Sequence, residues 1–119
     1  MLSNKDLIEI ERYIYLPLLL IVLERDYTLF EEGPFKLKAP YLHMIESAKK
    51  LIEKDLVEVK AKLKSMKIKV VRGERDDLFT EYHFYIGNYV DKRRYSNVRL
   101  KNYSEKLLEE YIRKSKDVS

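Results

Sequence analysis

The sequence predicts an α+β fold, a helix-rich single domain that contains a β-hairpin. Apolar residues recur at helical spacing in the first half of the chain and again near its end. Between these segments the pattern changes to alternation of apolar and polar residues, which is typical of strands. Only three glycines and three prolines occur in 119 residues, so we expect one folded unit over residues 1–119 without long flexible linkers.

The first helix is expected to begin near Asn4, because Ser3 and Asp6 have the spacing of a capping box. Pro17 lies inside the helical pattern and has no N–H to donate. It therefore either kinks one long helix or begins a second one. The segment Leu18–Leu23 is apolar on every face, which predicts a central segment surrounded by the rest of the fold.

A second helical segment is predicted for Pro40–Ser65, which has no glycine or proline after its first residue. Lys54-Asp55 is the one candidate break, so the segment could be one helix or two. Its stripe is either the seam of a dimeric coiled coil, with Lys49 in the seam, or a core stripe that packs on the first helix. The stripe residues are Leu42, Ile45, Ile52, Leu56, Val59, Leu63 and Met66.

A β-hairpin is predicted for Met66–Gly87, with a polar tip at Gly73–Leu78. Its outer face would set Lys67 and Lys69 near Glu81 and His83. The inner face would carry the alternating apolar residues Ile68, Val70, Tyr82, Phe84 and Ile86.

Three shorter elements complete the prediction. Gly33-Pro34 marks a turn, and Phe35–Lys38 alternates in a way that fits a short strand before Pro40. Residues 97–101 also alternate and indicate a third strand or an extended segment. Asn102 then resembles a helix cap and begins a terminal helix, whose last residues, 115–119, are expected to be a frayed tail.

The charge distribution is the main functional hint. Residues 1–38 carry five cations and seven anions, whereas residues 91–119 carry nine cations and five anions. Two stretches, Val59–Gly73 and Lys92–Ser104, contain no acidic residue at all. Such basic stretches attract polyanions, although they also occur as ordinary solvated surface.

Several classes of chemistry have no support in the sequence. Cysteine is absent, and the two histidines, His43 and His83, lie apart from any matched nucleophile. No metal-binding motif or phosphate-binding glycine loop occurs, so no metal, no cofactor and no enzymatic activity are predicted. The apolar run Tyr13–Leu23 is shorter than a membrane span, and a cytoplasmic protein without a membrane partner is expected.

The order of elements is similar to that of winged-helix DNA-binding domains, with the hairpin as the wing. This similarity rests on element order and not on a motif. It implies a non-catalytic, regulatory protein that binds nucleic acid. The alternative is a protein-interaction module, a homodimer through the 40–65 helix. The residues predicted to contact nucleic acid are the cations of the two basic stretches, namely Lys60, Lys62, Lys64, Lys67, Lys69, Arg93, Arg94, Arg99 and Lys101.

Overall fold

The computed structural model describes residues 2–118 and confirms the α+β fold. Two long helices precede a three-stranded antiparallel sheet, and a third helix closes the chain. The elements are α1 (Asn4–Glu32), α2 (Lys38–Ser65), β1 (Ile68–Arg75), β2 (Phe79–Ile86), β3 (Tyr89–Ser96) and α3 (Asn97–Val118).

Helix α1 begins at the predicted capping box. The Ser3 hydroxyl accepts a hydrogen bond from the Asp6 backbone, and the Ser3 backbone donates to the Asp6 carboxylate, both at 3.1 Å. Pro17 lies inside one continuous helix of 29 residues, so the interpretation as two helices is wrong. The prediction that Leu18–Leu23 is surrounded is also wrong. Leu19 and Leu23 are buried, but Ile21 is 64% exposed because the second half of α1 is covered on one side.

Helix α2 is a single helix of 28 residues, with Pro40 in its first turn, where a missing N–H costs nothing. Its stripe is buried inside the chain at Ile45, Ile52 and Val59, so it is a core stripe and not an open coiled-coil seam. Because α2 is unbroken, Pro40–Ser65 does not supply the two helices of a helix-turn-helix. The similarity to winged-helix domains therefore gains no support from this segment.

The sheet has the order β1-β2-β3, and its helices lie on one face. The predicted hairpin forms, with Ile68 opposite Ile86 and Val70 opposite Phe84. The predicted inner face is confirmed, since Phe84 is fully buried and Tyr82 nearly so. Lys69, however, lies opposite Tyr85, and not beside Glu81 as predicted.

Two strand predictions are wrong. Residues 33–37 form a loop, so Phe35–Lys38 is not a strand. The third strand is Tyr89–Ser96, and residues 97–101 begin α3 instead. The helix starts early because the Ser96 hydroxyl accepts a hydrogen bond from the Arg99 backbone at 3.3 Å, which caps the first turn. Gly87, with φ of 60°, makes the two-residue turn that leads into β3.

Helix α3 extends to Val118, and Ser115 within it is buried, its hydroxyl donating to the Ile112 carbonyl at 2.7 Å. The predicted frayed tail, residues 115–119, falls partly outside the described residues. The core lies where α1, α2, α3 and the inner face of the sheet meet. Its fully buried large side chains are Phe84, Ile10, Leu16, Leu19, Ile52 and Val59.

Candidate functional site

The lysines at the end of α2 lie on two sides of that helix. Lys60 and Lys64 are exposed, whereas Lys62 extends its Nζ to within 3.4 Å of Glu9 Oε1 on α1. Lys67 follows the helix with φ of 58°, the left-handed conformation that usually ends a helix at glycine. Its backbone N–H donates to the Lys64 carbonyl at 3.1 Å, so Lys67 turns the chain from α2 into β1.

Arg93 and Arg94 project from opposite faces of β3. Arg93 is paired with Tyr82 in the register and therefore faces inward, where it binds Asp91 through two contacts of 3.2 and 3.3 Å. The hydrogen bond to Asp91 raises the pKa of Arg93. Arg94 faces outward, with its guanidinium 4.3 Å from the centre of the Phe79 ring and 3.8 Å from Asp76. The two arginines therefore lie on opposite surfaces of the sheet and cannot contact the same ligand surface.

The outer side of the sheet is uncovered, and we call it the open sheet face. It is defined by Lys69 and Val71 on β1, Glu81, His83 and Tyr85 on β2, and Lys92 and Arg94 on β3. Its residues on the two outer strands, β1 and β3, are all exposed. The β2 residues on the opposite, inner side of the sheet are buried, namely Thr80, Tyr82 and Phe84. The result is a surface with cations on both outer strands and rings on the middle strand.

Glu81 is the acidic residue of β2 on this side of the sheet. Its Oε1 lies 2.5 Å from His83 Nε2, and this hydrogen bond lowers the pKa of the Glu81 carboxyl. Gly73 makes room for the pair, since a Cβ at that position would stand 2.9 Å from His83 Nε2. The Glu81 carboxylate therefore already has a hydrogen-bond partner, His83, on the same strand.

Arg99 and Lys101 belong to the first turns of α3, away from the open sheet face. Lys101 lines a cleft on the inner side of the sheet, between α1, β1 and α3. Of the nine predicted residues, Lys69 and Arg94 lie on the open sheet face, but on its two opposite edge strands and not side by side. Arg93, Arg99 and Lys101 are placed elsewhere.

Sequence reasoning placed His83 on the outer face of the hairpin, but it did not include Lys92, His83 or Tyr85 among the residues predicted to contact nucleic acid. The pairing of His83 with Lys92 is the relationship that joins them, and it depends on the register between β2 and β3. The spacing of Lys92 and Arg94, two residues apart, was the available signal, because alternate strand residues share a face.

The two histidines of the described chain lie on different elements. His43 is exposed on α2, and His83 is held by Glu81. Among residues 2–118 there is no group of three or more His, Asp or Glu residues that could hold a metal ion. No helix in that range is long and apolar enough to cross a membrane.

The fold and this face define a class: a small α+β protein whose two long helices and closing helix support one side of a three-stranded sheet. The chain belongs to the YhjD protein family, whose profile it matches over residues 1–116. It is similar to a protein of Bacillus subtilis strain 168 with the name "Uncharacterized protein YhjD", with 39% identity over 103 residues. That similarity covers 87% of this chain and 86% of the relative. No solved structure matches the fold.

Proposed function

We propose that the protein binds nucleic acid without catalysing a reaction, through the open sheet face. The observation that supports this most is the presence of three exposed cations, Lys69, Lys92 and Arg94, around the rings of His83 and Tyr85. Cations that grip phosphates beside rings that stack on bases are the combination that binds single-stranded nucleic acid.

The cations of this face are available to a ligand. Within the described chain, Lys69 and Lys92 form no ion pair. Arg94 lies 3.8 Å from Asp76, above the Phe79 ring and opposite Glu81 in the register. A phosphate can therefore approach these side chains without first breaking a short ion pair. Each such contact would release bound counterions from the nucleic acid, which favours binding at low salt.

The shape of the face favours single strands over duplex. Within the described residues, α2 is continuous and does not form the helix-turn-helix that would enter a major groove. Tyr85 is 37% exposed on the open sheet face, where an unpaired base could reach its ring. We therefore expect backbone contacts with little sequence preference.

The adjacent arginines provide a matched test. Arg94→Ala and Arg93→Ala remove the same side chain from opposite faces of β3. Fluorescence anisotropy with labelled oligothymidine should show that Arg94→Ala and Lys92→Ala weaken binding, while Arg93→Ala leaves it unchanged. Equal affinities for Arg93→Ala and Arg94→Ala, or a preference for duplex over single strand, would contradict the proposal.

A protein-interaction module is the second candidate. It is favoured by the apolar side chains that α1 exposes, with Ile21 64%, Val22 43% and Leu29 58% accessible. A second copy of the chain would cover them in a homodimer, through α1 rather than through the 40–65 helix, whose stripe is already buried. Sedimentation should then give a dimer that Ile21→Glu dissociates and that added salt does not. A monomer at high concentration would remove this candidate.

A further inference from the structure

A cleft of about 520 Å³ opens on the inner side of the sheet, opposite the open sheet face. The second half of α1, the tip end of β1 and β2, and the first turns of α3 enclose it. Its floor is apolar, formed by Leu18, Leu19, Leu100 and Leu108 with the ring of Tyr82. Its volume falls within the range of about 300–1,000 Å³ that is usual for small-molecule sites.

Charged side chains from three elements surround this floor. Arg72 and Arg75 extend from edge strand β1, and Lys101 extends from α3. Asp26 and Glu105 are the acidic residues of the rim. None of these five forms an ion pair with any residue that the structure describes. With three cations and two carboxylates, the rim has a net charge of +1.

At the sheet end of the cleft, some polar groups have hydrogen-bond partners within the protein and one does not. Thr80 donates to Asn97 Oδ1 at 2.6 Å, and Asn97 in turn donates to the Asp76 carbonyl at 2.9 Å. These hydrogen bonds hold the side chains of Thr80 and Asn97 in place in the wall of the cleft. The Tyr82 hydroxyl makes no hydrogen bond within the described residues. Burial raises the pKa of Tyr82, and the charges of Arg72 and Arg75 oppose that change. Arg72 lies opposite Tyr82 in the pairing of β1 with β2.

We propose that the cleft binds a small amphipathic monocarboxylate. The apolar part would lie on the leucine floor, and the carboxylate would meet Arg72 and Arg75, whose planar forks suit its two oxygens. The single excess positive charge matches one negative charge, and the carboxylates of Asp26 and Glu105 oppose a more highly charged ligand such as a phosphate. This site is on the other side of the sheet and does not depend on the proposed nucleic-acid function.

Isothermal titration calorimetry with decanoate, below its micelle-forming concentration, tests the charge recognition. Decanoate should bind saturably, and decan-1-ol, with the same chain but no charge, should bind at least about tenfold more weakly because it makes no charge-assisted hydrogen bond. The double variant Arg72→Gln, Arg75→Gln should lose a similar factor. Arg113→Gln, at an exposed arginine of α3 outside the cleft, should bind as wild type does. No saturable binding of decanoate, or equal binding of acid and alcohol, would overturn the proposal.

A cleft-filling variant tests the location. Val22 lines the cleft but is partly exposed, so Val22→Trp can fill the space without disturbing the core. This variant should fold with wild-type circular dichroism and fail to bind decanoate. Unchanged decanoate binding by Val22→Trp would place the ligand elsewhere and contradict the proposal. A wild-type dimer that Val22→Trp dissociates, without decanoate binding, would assign the cleft to a second copy.

Discussion

The hydroxyl of Tyr111 donates a 2.5 Å hydrogen bond to Asp55 Oδ2, joining α3 to α2 across 56 residues of sequence. Arg12 on α1 approaches the same carboxylate oxygen at 3.5 Å. The Asp55 carboxylate on α2 therefore contacts a side chain from each of the other two helices. Asp55 was the one candidate break in α2. Its carboxylate instead points at Tyr111 and Arg12, which explains why an acid is tolerated in the middle of this helix.

Tyr111→Phe should lower the free energy of unfolding by about 1–3 kcal/mol, because a partly buried carboxylate loses its closest donor. Urea denaturation measures this difference. Tyr103→Phe is the matched control, since Tyr103 packs its ring 4.4 Å from that of Tyr15 and is half exposed. That change should cost less than about 0.5 kcal/mol. Equal losses in the two variants would show that the Asp55 contact contributes nothing specific.

Stability should fall at alkaline pH. Burial raises the pKa of Tyr15 to about 12, above the value of about 10 expected in the unfolded chain. The neutral form is therefore favoured in the folded protein, and its contribution is complete below pH 10 and is lost as the pH rises toward 12. Burial also raises the pKa of Tyr95 and of Tyr111, in the same direction.

Urea melts at several pH values between about 9 and about 11.5 test this, since that interval covers the ordinary tyrosine pKa. Tyr15→Phe should show a shallower decline of stability with pH than the wild type. Parallel declines in the two proteins would mean that Tyr15 does not contribute to the alkaline loss.

The stripe of α2 is predicted to carry core stability. Ile52 is fully buried, whereas Val57, one and a half turns away, is 68% exposed. Ile52→Ala should cost about 2–5 kcal/mol through lost burial and the cavity it leaves. Val57→Ala should change stability by less than about 0.5 kcal/mol. A small effect at Ile52 in urea melts would contradict the packing of α2 on α1.

The tip between β1 and β2 should depend on the ionised Asp76 side chain. Asp76 Oδ1 accepts hydrogen bonds from the backbones of Leu78 and Phe79 at 2.8 and 2.7 Å, and these lower the pKa of Asp76. The stabilisation is present above the ordinary aspartate pKa and is lost as the pH falls through the depressed one. Asp76→Ala should speed amide hydrogen exchange at Leu78 and Phe79, with the amides of Ile52 and Val59 as controls. Unchanged exchange at the tip would refute the role of Asp76.

How far the fold could be predicted depends on how local each signal is. The capping box at Ser3, the stripe around Ile52 and the alternation around Phe84 are short-range patterns, and all three formed as predicted. Strand β3 was missed because its inward positions carry Asp91 and Arg93, which do not look like a core face. The early start of α3 was missed because the cap at Ser96 lies inside a pattern that also fits a strand.

The candidate sites were less predictable because they depend on register. The separation of Arg93 from Arg94 follows once residues 89–96 are known to form a strand. The presence of Lys69, Lys92 and Arg94 on one face follows only from the pairing of β2 with both β1 and β3. The cleft is still harder to predict from the sequence, because Arg72, Asp26 and Lys101 come from three different elements. No spacing in the chain indicates that they surround a common floor.

The most direct test of the proposed function is the salt dependence of binding to oligothymidine, compared between Arg94→Ala and Arg93→Ala. Wild type should bind near about 50 mM salt and lose affinity steeply as salt is added. Arg94→Ala should reduce the slope of log affinity against log salt by about 0.7, the value for one phosphate contact on a single strand. Arg93→Ala should keep the wild-type slope. No wild-type binding at low salt, or the same slope in both variants, would contradict the assignment of the open sheet face to nucleic acid.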